Sequence, residues 1–454
     1  VTPDGGLIEL GPRVVVAGTH SGVGKTTVAT GLMAALRQRG LEVGAAKVGP
    51  DFIDPGYHQL ATGRTGRNLD AFLCGAQSVP GIAALAADHR DILVVEGVMG
   101  LFDGLGSTPT ASTAEVATLL DAPVVLVVDA SAMSSSVRAL VDGYDRHFAD
   151  RFGRRLGGVI LNRVGSETHE ALLREALDGS VPVVGALARQ SALGWRDRHL
   201  GLVPVVERRA EISASLGLLA AAIESGVDLE AVERLARTAP RRRVEPPPLA
   251  RRVVSGPIPI AVVSGPAFSF SYPDNLERLV QAGGELVPVD PANDRALPAG
   301  VGGLYACGGF PEVFAEELSA NTSLLDDVAR RVSTGLAVWA ECGGMLWLSR
   351  SLDGHRLAGA LPSDAHLGSR VTVGYRTATV LTECPIAERG RQLRGHEHHY
   401  STSTPAGDAL ELVGRSGTSR QGWATPRLLA SYLHLHLGGD PGPAERFVAC
   451  AADA

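Results

Sequence analysis

The sequence is poor in the residues that cross-link, anchor or charge a chain positively. Five cysteines, Cys74, Cys307, Cys342, Cys384 and Cys450, are spread over 454 residues. They are odd in number and include no C-x-x-C pair, which argues against a disulfide framework and against a zinc site. No apolar run approaches the roughly 20 residues that a membrane-spanning helix needs. Lys and Arg number 42 against 49 Asp and Glu, a formal net charge of -7, and the pI is near 6.0. Without a global positive field to gather phosphates, neither nucleic acid nor a membrane is an expected partner. The first ten residues hold acids and glycines rather than a basic flank and an apolar run. No secretion signal is expected there, and the cytoplasm is the expected compartment.

What is abundant is glycine, 55 residues, and apolar side chains, 45% of the chain. This length suggests two to four domains. Short apolar runs at 13–17, 42–48, 91–95, 122–128, 158–161 and 181–186 alternate with helical stretches, the first at 25–39. Such a rhythm predicts a parallel sheet covered on both faces. Residues 238–257 then read T-A-P-R-R-R-V-E-P-P-P-L-A-R-R-V-V-S-G-P. Consecutive prolines and a basic cluster predict an interdomain linker between domains at 1–237 and 258–454, with Arg241–Arg243 a solvated charge run. The rhythm restarts with strands expected at 258–263, 285–289, 303–307 and 336–340, and helices at 275–282 and 313–320. Alternating segments such as 370–380 follow, and a final strand is expected at 430–437.

Gly18 to Thr26 reads G-T-H-S-G-V-G-K-T after the first strand. In a phosphate-binding loop, backbone N–H groups wrap the phosphates at a helix N-terminus. Gly22, Val23, Gly24, Lys25, Thr26 and Thr27 would then hold ATP, with Lys25 on the β and γ phosphates and Thr26 on Mg²⁺. The first glycine stands one residue early, with Thr19 at its usual place, as in the loop of dethiobiotin synthetase, which this segment resembles. Carboxylates at other strand ends would complete the metal site. Asp51, in K-V-G-P-D-F-I-D-P, and Glu96, in V-E-G-V-M-G-L-F-D-G, are the candidates; for either one alone a turn or capping role competes. Lys47 could neutralise the transferred phosphoryl group. Asp54 and Asp103 could steer substrate or orient Lys47. Asn162, at a strand end, could reach a nucleobase edge or simply serve its turn.

Far downstream, A-E-C-G-G-M runs from Ala340 to Met345. A strand–Cys–Gly–Gly–helix turn aims the Cys342 sulfur at a helix N-terminus, whose dipole is expected to lower the thiol pKa. The Gly343 N–H would face the developing oxyanion. C-G-G-F-P-E, with Gly308 and Gly309, could supply a second oxyanion donor. The base would come from His396, His398, His399, His434 or His436; the last two share one strand face at i and i+2. An ATP site joined to a glutamine-hydrolysing turn implies one reaction type, a carboxylate activated by ATP and captured by ammonia.

These segments, together with S-Y-P-D-N-L-E at 271–277, occur in an order that resembles the cobyrinic (hydrogenobyrinic) acid a,c-diamide synthase family over both halves of the chain. The resemblance implies two doubly wound α/β domains, a P-loop, dethiobiotin-synthetase-like ATP domain followed by a class I-like glutamine amidotransferase domain. It implies a corrinoid acid, glutamine and ATP as substrates, with Mg²⁺, and amidation of the a and c carboxylates through an acyl phosphate. It points to His434 as base, with His436 second. Class I enzymes usually carry Glu where His436 stands, so the third member of the triad is absent or comes from elsewhere. Cys307 departs from the glycine expected there. The polar stretch 189–211 is a candidate for lining the corrinoid pocket, though its charges would equally suit an open surface. The oligomeric state is left open, a homodimer included. Rival readings are another glutamine-dependent ligase, such as cobyric acid synthase or CTP synthase, and a partition-type P-loop switch that makes no product.

Overall fold

The computed structural model describes residues 6–189, 209–415 and 417–453. It divides between Pro247 and Pro248 into two compact units. Most of the candidate pocket stretch, residues 190–208, lies outside the described residues. No described helix is long and apolar enough to cross a membrane.

The first unit is built on a seven-stranded parallel sheet. Its order is Arg67–Leu69, Val43–Val48, Ile92–Glu96, Arg13–Gly18, Val124–Asp129, Leu156–Val164, Val183–Ala188. Every residue of the strands Arg13–Gly18, Val43–Val48 and Ile92–Glu96 is buried, which is why their sequences are continuous apolar runs rather than alternating ones. The first strand lies at the centre, and the chain turns to one side for Val43–Val48 and to the other for Val124–Asp129. That reversal opens a crevice at the strand C-termini, where the glycine-rich loop leads into the helix Lys25–Gln38.

The second unit holds two sheets. Five parallel strands, in the order Gly284–Val289, Ile258–Val263, Gly303–Ala306, Ala337–Glu341, Leu428–Ser431, are edged by the antiparallel Trp423–Thr425. A second, mainly antiparallel sheet centres on the long strands Asp364–Val380 and Gln392–Thr404. The final strand expected at 430–437 is in fact two. Leu428–Ser431 belongs to the first sheet, while His434–Leu435 pairs antiparallel with Gly395 and His396 in the second. Tyr432 and Leu433 make the crossing, so the chain binds the two sheets together at this point.

The expected linker 238–257 is mostly exposed but is attached to each unit. Arg242–Val244 pairs antiparallel with Ile8–Leu10 in the first unit. On the other side of the boundary, the Val253 N–H donates to Ala282 O at 3.0 Å within the second unit. The prolines 246–248 lie between these attachments and so never interrupt a central ladder.

Arg13 explains part of this attachment. It is fully buried at the start of the central strand and faces carbonyls rather than a close carboxylate. Its guanidinium donates to Leu120 O at 2.7 Å, Gly11 O at 2.7 Å, Leu10 O at 3.2 Å and Pro240 O at 3.0 Å. Burial lowers its pKa to about 10, with Arg242 adding to the effect; it remains charged at neutral pH. One side chain thus ties the central strand to a helix end and to the expected linker. Arg13→Met leaves these carbonyls without their donor and is expected to destabilise the first unit by about 3 kcal/mol, read as an earlier urea transition of that unit.

Candidate functional site

The glycine-rich loop is held by residues far away in sequence. The Thr19 N–H donates to Val127 O at 3.2 Å, and the Leu101 N–H donates to Gly18 O at 2.8 Å. Gly22 and Gly24 have φ of 80° and 98°, backbone that favours glycine. At Gly24 a methyl group would also meet the Asn162 amide at 2.3 Å. Asn162 serves the loop: its Nδ2 donates to Val23 O at 2.9 Å, a contact that favours the turn role over a nucleobase contact. Beside it, Arg163 donates to Gly22 O at 2.8 Å. Lys25 is buried and donates to His20 O at 3.0 Å. Burial and the neighbouring Lys47 lower its pKa to about 8, against the pull of Glu96, Asp54 and Asp103. Thr27, half-buried, follows in the first helical turn.

Glu96 is the hub of this crevice. It is fully buried at the end of its strand. Its Oε1 accepts from Thr26 Oγ1 at 2.6 Å and from Lys47 Nζ at 2.8 Å, and its Oε2 lies 2.6 Å from His58 Nε2. Burial alone would raise the Glu96 carboxyl; Lys47 and His58 outweigh it and hold the group well below the usual range. Lys47 also reaches Asp54 Oδ2 at 2.7 Å. Despite its burial, Asp54 and Glu96 push the Lys47 ammonium above its ordinary value, so it is permanently charged.

Asp54, rather than Asp51, joins Thr26 and Glu96. Thr26 Oγ1 lies 3.4 Å from Asp54 Oδ2. Asp51 caps the turn instead, its Oδ1 accepting from the Ile53 and Asp54 N–H groups at 2.7 and 3.1 Å. The physical reason is that Asp54 opens the helix Asp54–Thr62, so one residue must cap and the other can face inward. Asp103 is likewise engaged in its own loop, accepting from the Gly100 N–H at 2.8 Å. His58, not singled out from sequence, lies one helical turn beyond Asp54; the i, i+4 spacing was its only signal.

Thr26, Asp54 and Glu96 present hard oxygens of the kind Mg²⁺ prefers. Burial, Asp51 and Glu96 hold the Asp54 carboxyl well above the usual carboxylate range in spite of Lys47. A divalent cation bound there would favour the ionised carboxylate, and the two carboxylates with the Thr26 hydroxyl are a donor set that fits one. Among the described residues no cluster of three His, Cys, Asp or Glu side chains could hold a metal on its own, so phosphate oxygens would have to complete the shell.

In the second unit, Cys342 ends the strand Ala337–Glu341 with φ 47° and ψ −105°. That is backbone strain of the nucleophile-elbow kind. Its N–H donates to Ser431 O at 2.7 Å. Glycines are required at the two positions that follow Cys342. A methyl group at Gly344 would lie 2.1 Å from Ala306 O, and one at Gly343 would lie 2.8 Å from the Gly309 nitrogen. Gly308 exchanges backbone hydrogen bonds with Phe270, so its N–H is engaged; Gly309 is the better second oxyanion donor. The lowered thiol pKa expected from sequence is overturned. Cys342 is 4% exposed, and burial followed by Glu312 raises its thiol far above the ordinary value; Glu341 and Glu397 add to this, and the Gly343 N–H opposes it only in part. The helix Gly343–Leu348 is six residues long, and its N-terminus does not outweigh desolvation plus three carboxylates.

His434 and His436 diverge. A methyl group at Gly308 would meet His434 Cε1 at 2.4 Å, so His434 lies against the same turn that meets Gly343. Its ring stacks on His396 at 4.9 Å. His436 faces away from that turn: its Nδ1 accepts from the Gly438 N–H at 3.0 Å, its ring lies 4.4 Å from that of Tyr272, and its Nε2 is 3.8 Å from Asp274 Oδ2. The shared face expected from i, i+2 spacing fails because the two-residue strand ends at Leu435. His399 stacks on Tyr432 at 3.7 Å, and His398 is exposed.

Residues 14–202 match the CobQ/CobB/MinD/ParA nucleotide binding domain. Residues 259–442 match the CobB/CobQ-like glutamine amidotransferase domain. The chain is 46% identical to a hydrogenobyrinate a,c-diamide synthase of Streptomyces coelicolor, over 96% of this chain and 97% of that one. Its identity to the corresponding protein of Thermobifida fusca is also 46%, over 97% of each. A cobyrinate a,c-diamide synthase of a Synechococcus species is 39% identical over 96% of this chain and 97% of its own. With likeness of this extent through both units, the chain belongs to the family of cobyrinate and hydrogenobyrinate a,c-diamide synthases.

Proposed function

We propose that this protein converts the a and c carboxylates of a corrinoid acid, cobyrinic or hydrogenobyrinic, to amides, using ATP and glutamine. The observation that carries the reading is the meeting of Thr26, Asp54, Glu96 and Lys47 at the mouth of the glycine-rich loop, on a chain that also holds a strained Cys342 elbow.

In the first unit a corrinoid carboxylate oxygen attacks the γ phosphorus of ATP, the bond to ADP breaks, and an acyl phosphate forms. Lys25 and Lys47 offset the charge on the transferring group, which is the main help a protein can give to this chemistry. Mg²⁺ held by Thr26, Asp54 and Glu96 would draw further charge from the phosphates. His58 fixes the second oxygen of Glu96 and so its orientation. Ammonia then attacks the acyl carbon, and inorganic phosphate leaves.

In the second unit Cys342 Sγ bonds to the side-chain carbonyl carbon of glutamine while its proton passes to a histidine, in this reading His434. The Gly343 and Gly309 N–H groups face the resulting oxyanion. The histidine returns the proton to the departing nitrogen, ammonia is released, and water hydrolyses the glutamyl thioester. Because the thiol is protonated at rest, the base acts during the attack rather than before it.

Incubation with Mg-ATP, glutamine and either corrinoid acid, read by product mass, tests the reaction. Two carboxyl-to-amide conversions are expected; an unchanged corrinoid with both half-reactions active would reject the acceptor. Lys25→Ala is expected to abolish amidation from glutamine and from free ammonia alike. Cys342→Ala is expected to lose glutamine use and keep ammonia use, and a folded variant that loses both would contradict the separation of roles. Lys25 also sets a pH dependence. With a pKa of about 8 in the nucleotide-free chain, its charged fraction falls about tenfold between pH 7 and pH 9. Phosphate favours the charged form, so equilibrium affinity for Mg-ATP is expected to weaken about tenfold over that range, and Lys25→Ala is expected to flatten the profile.

A further inference from the structure

A histidine that takes a proton from a buried thiol becomes a buried cation. It needs a counter-charge, and a fixed tautomer that leaves the right nitrogen basic. His434 is 1% exposed, and its partner is not at the position two residues on, where His436 stands with its own contacts to Gly438, Tyr272 and Asp274. The carboxylate beside it belongs to the residue before the nucleophile. Glu341 Oε2 lies 3.8 Å from His434 Nδ1, and both side chains are buried.

Glu341 is well oriented for this. Its Oε1 accepts from the Leu435 N–H at 3.1 Å, and its Oε2 accepts from the Tyr305 hydroxyl at 3.2 Å. Leu435 follows His434 on the same short strand, so the carboxylate grips the strand that carries the histidine. Glu341 pairs with Ser431 in the first sheet, while His434 pairs with His396 in the second. The contact therefore spans the crossing between sheets. Two other buried carboxylates of the unit have partners of their own, Glu397 in Arg376 at 2.6 Å and Asp274 in His436 at 3.8 Å.

We infer that Glu341 is the positioning residue of the glutaminase base, a carboxylate supplied from the nucleophile's own strand that holds His434 by Nδ1 and leaves Nε2 to take the Cys342 proton. At 3.8 Å the two groups stand just beyond hydrogen-bond contact, and the separation shortens to a hydrogen bond when the imidazole is protonated. The proton travels from Cys342 to His434 Nε2 and then to the leaving nitrogen. His396, which burial and its neighbours His434, His398 and His436 keep neutral, backs the ring without adding charge.

The inference rests on His434 being the base, and the test separates the two. Glutamine hydrolysis is measured on the full chain with Mg-ATP and the corrinoid acid present, alongside amidation from free ammonia. Glu341→Gln, which retains an acceptor for Leu435, is expected to lower glutaminase kcat about 100-fold with KM within about twofold and ammonia-driven amidation unchanged. A Glu341→Gln kcat within threefold of the parent, while His434→Ala is inactive, overturns the role of Glu341 and leaves the base in place. Full glutaminase activity in His434→Ala overturns both. Should Glu341→Gln fail to fold, nitrogen-15 spectra of the unaltered chain decide: a His434 proton on Nδ1 supports the inference, and one on Nε2 rejects it.

Discussion

A parallel sheet covered on both faces leaves polar side chains few places to go. Within the strands each polar group would be sealed in apolar packing, and only the strand ends offer loops, helix termini and neighbouring charges. Both halves of this molecule obey that constraint. Lys47 and Glu96 stand at or near the C-terminal ends of their strands, Arg13 stands at the N-terminal start of the central one, and Glu341 and Cys342 stand where the strand Ala337–Glu341 gives way to its helix. The chemistry is placed where the fold tolerates charge, and each charge is tolerated because another charge or, for Arg13, a set of backbone carbonyls meets it.

This also explains what could be read directly from the residues. The buried strands announce themselves as apolar runs, and the glycine-rich loop is legible because its geometry demands glycine at 22 and 24. The division of labour between Asp51 and Asp54 is not legible. The two are three residues apart on a turn that becomes a helix, and which of them caps and which faces inward depends on where the helix begins. His58 matters only through Glu96, a contact across 38 positions that no local pattern encodes.

The second unit shows a different limit. S-Y-L-H-L-H alternates as one strand would, and contains neither glycine nor proline to mark a break. The break is imposed by a second sheet, whose long strands come from residues 364–404, and by the pairing of His396 with His434. A similar competition decides the thiol. The turn around Cys342 has the expected form, with a helix beginning at Gly343, yet the local dipole is weaker than the burial and the carboxylates of Glu312, Glu341 and Glu397. Those carboxylates come from separate stretches of chain, and only the packed unit reveals their sum.

The raised thiol of Cys342 has a bearing on how long the molecule lasts. Peroxides and electrophiles attack the thiolate, and a sulfur that keeps its proton offers them little of it. A nucleophile activated in advance would be exposed to every oxidant it met between turnovers. Here the raised pKa keeps the anion scarce until a base takes the proton. The same burial that makes the first step harder thus acts as a chemical preservative for the one atom the glutamine reaction cannot do without.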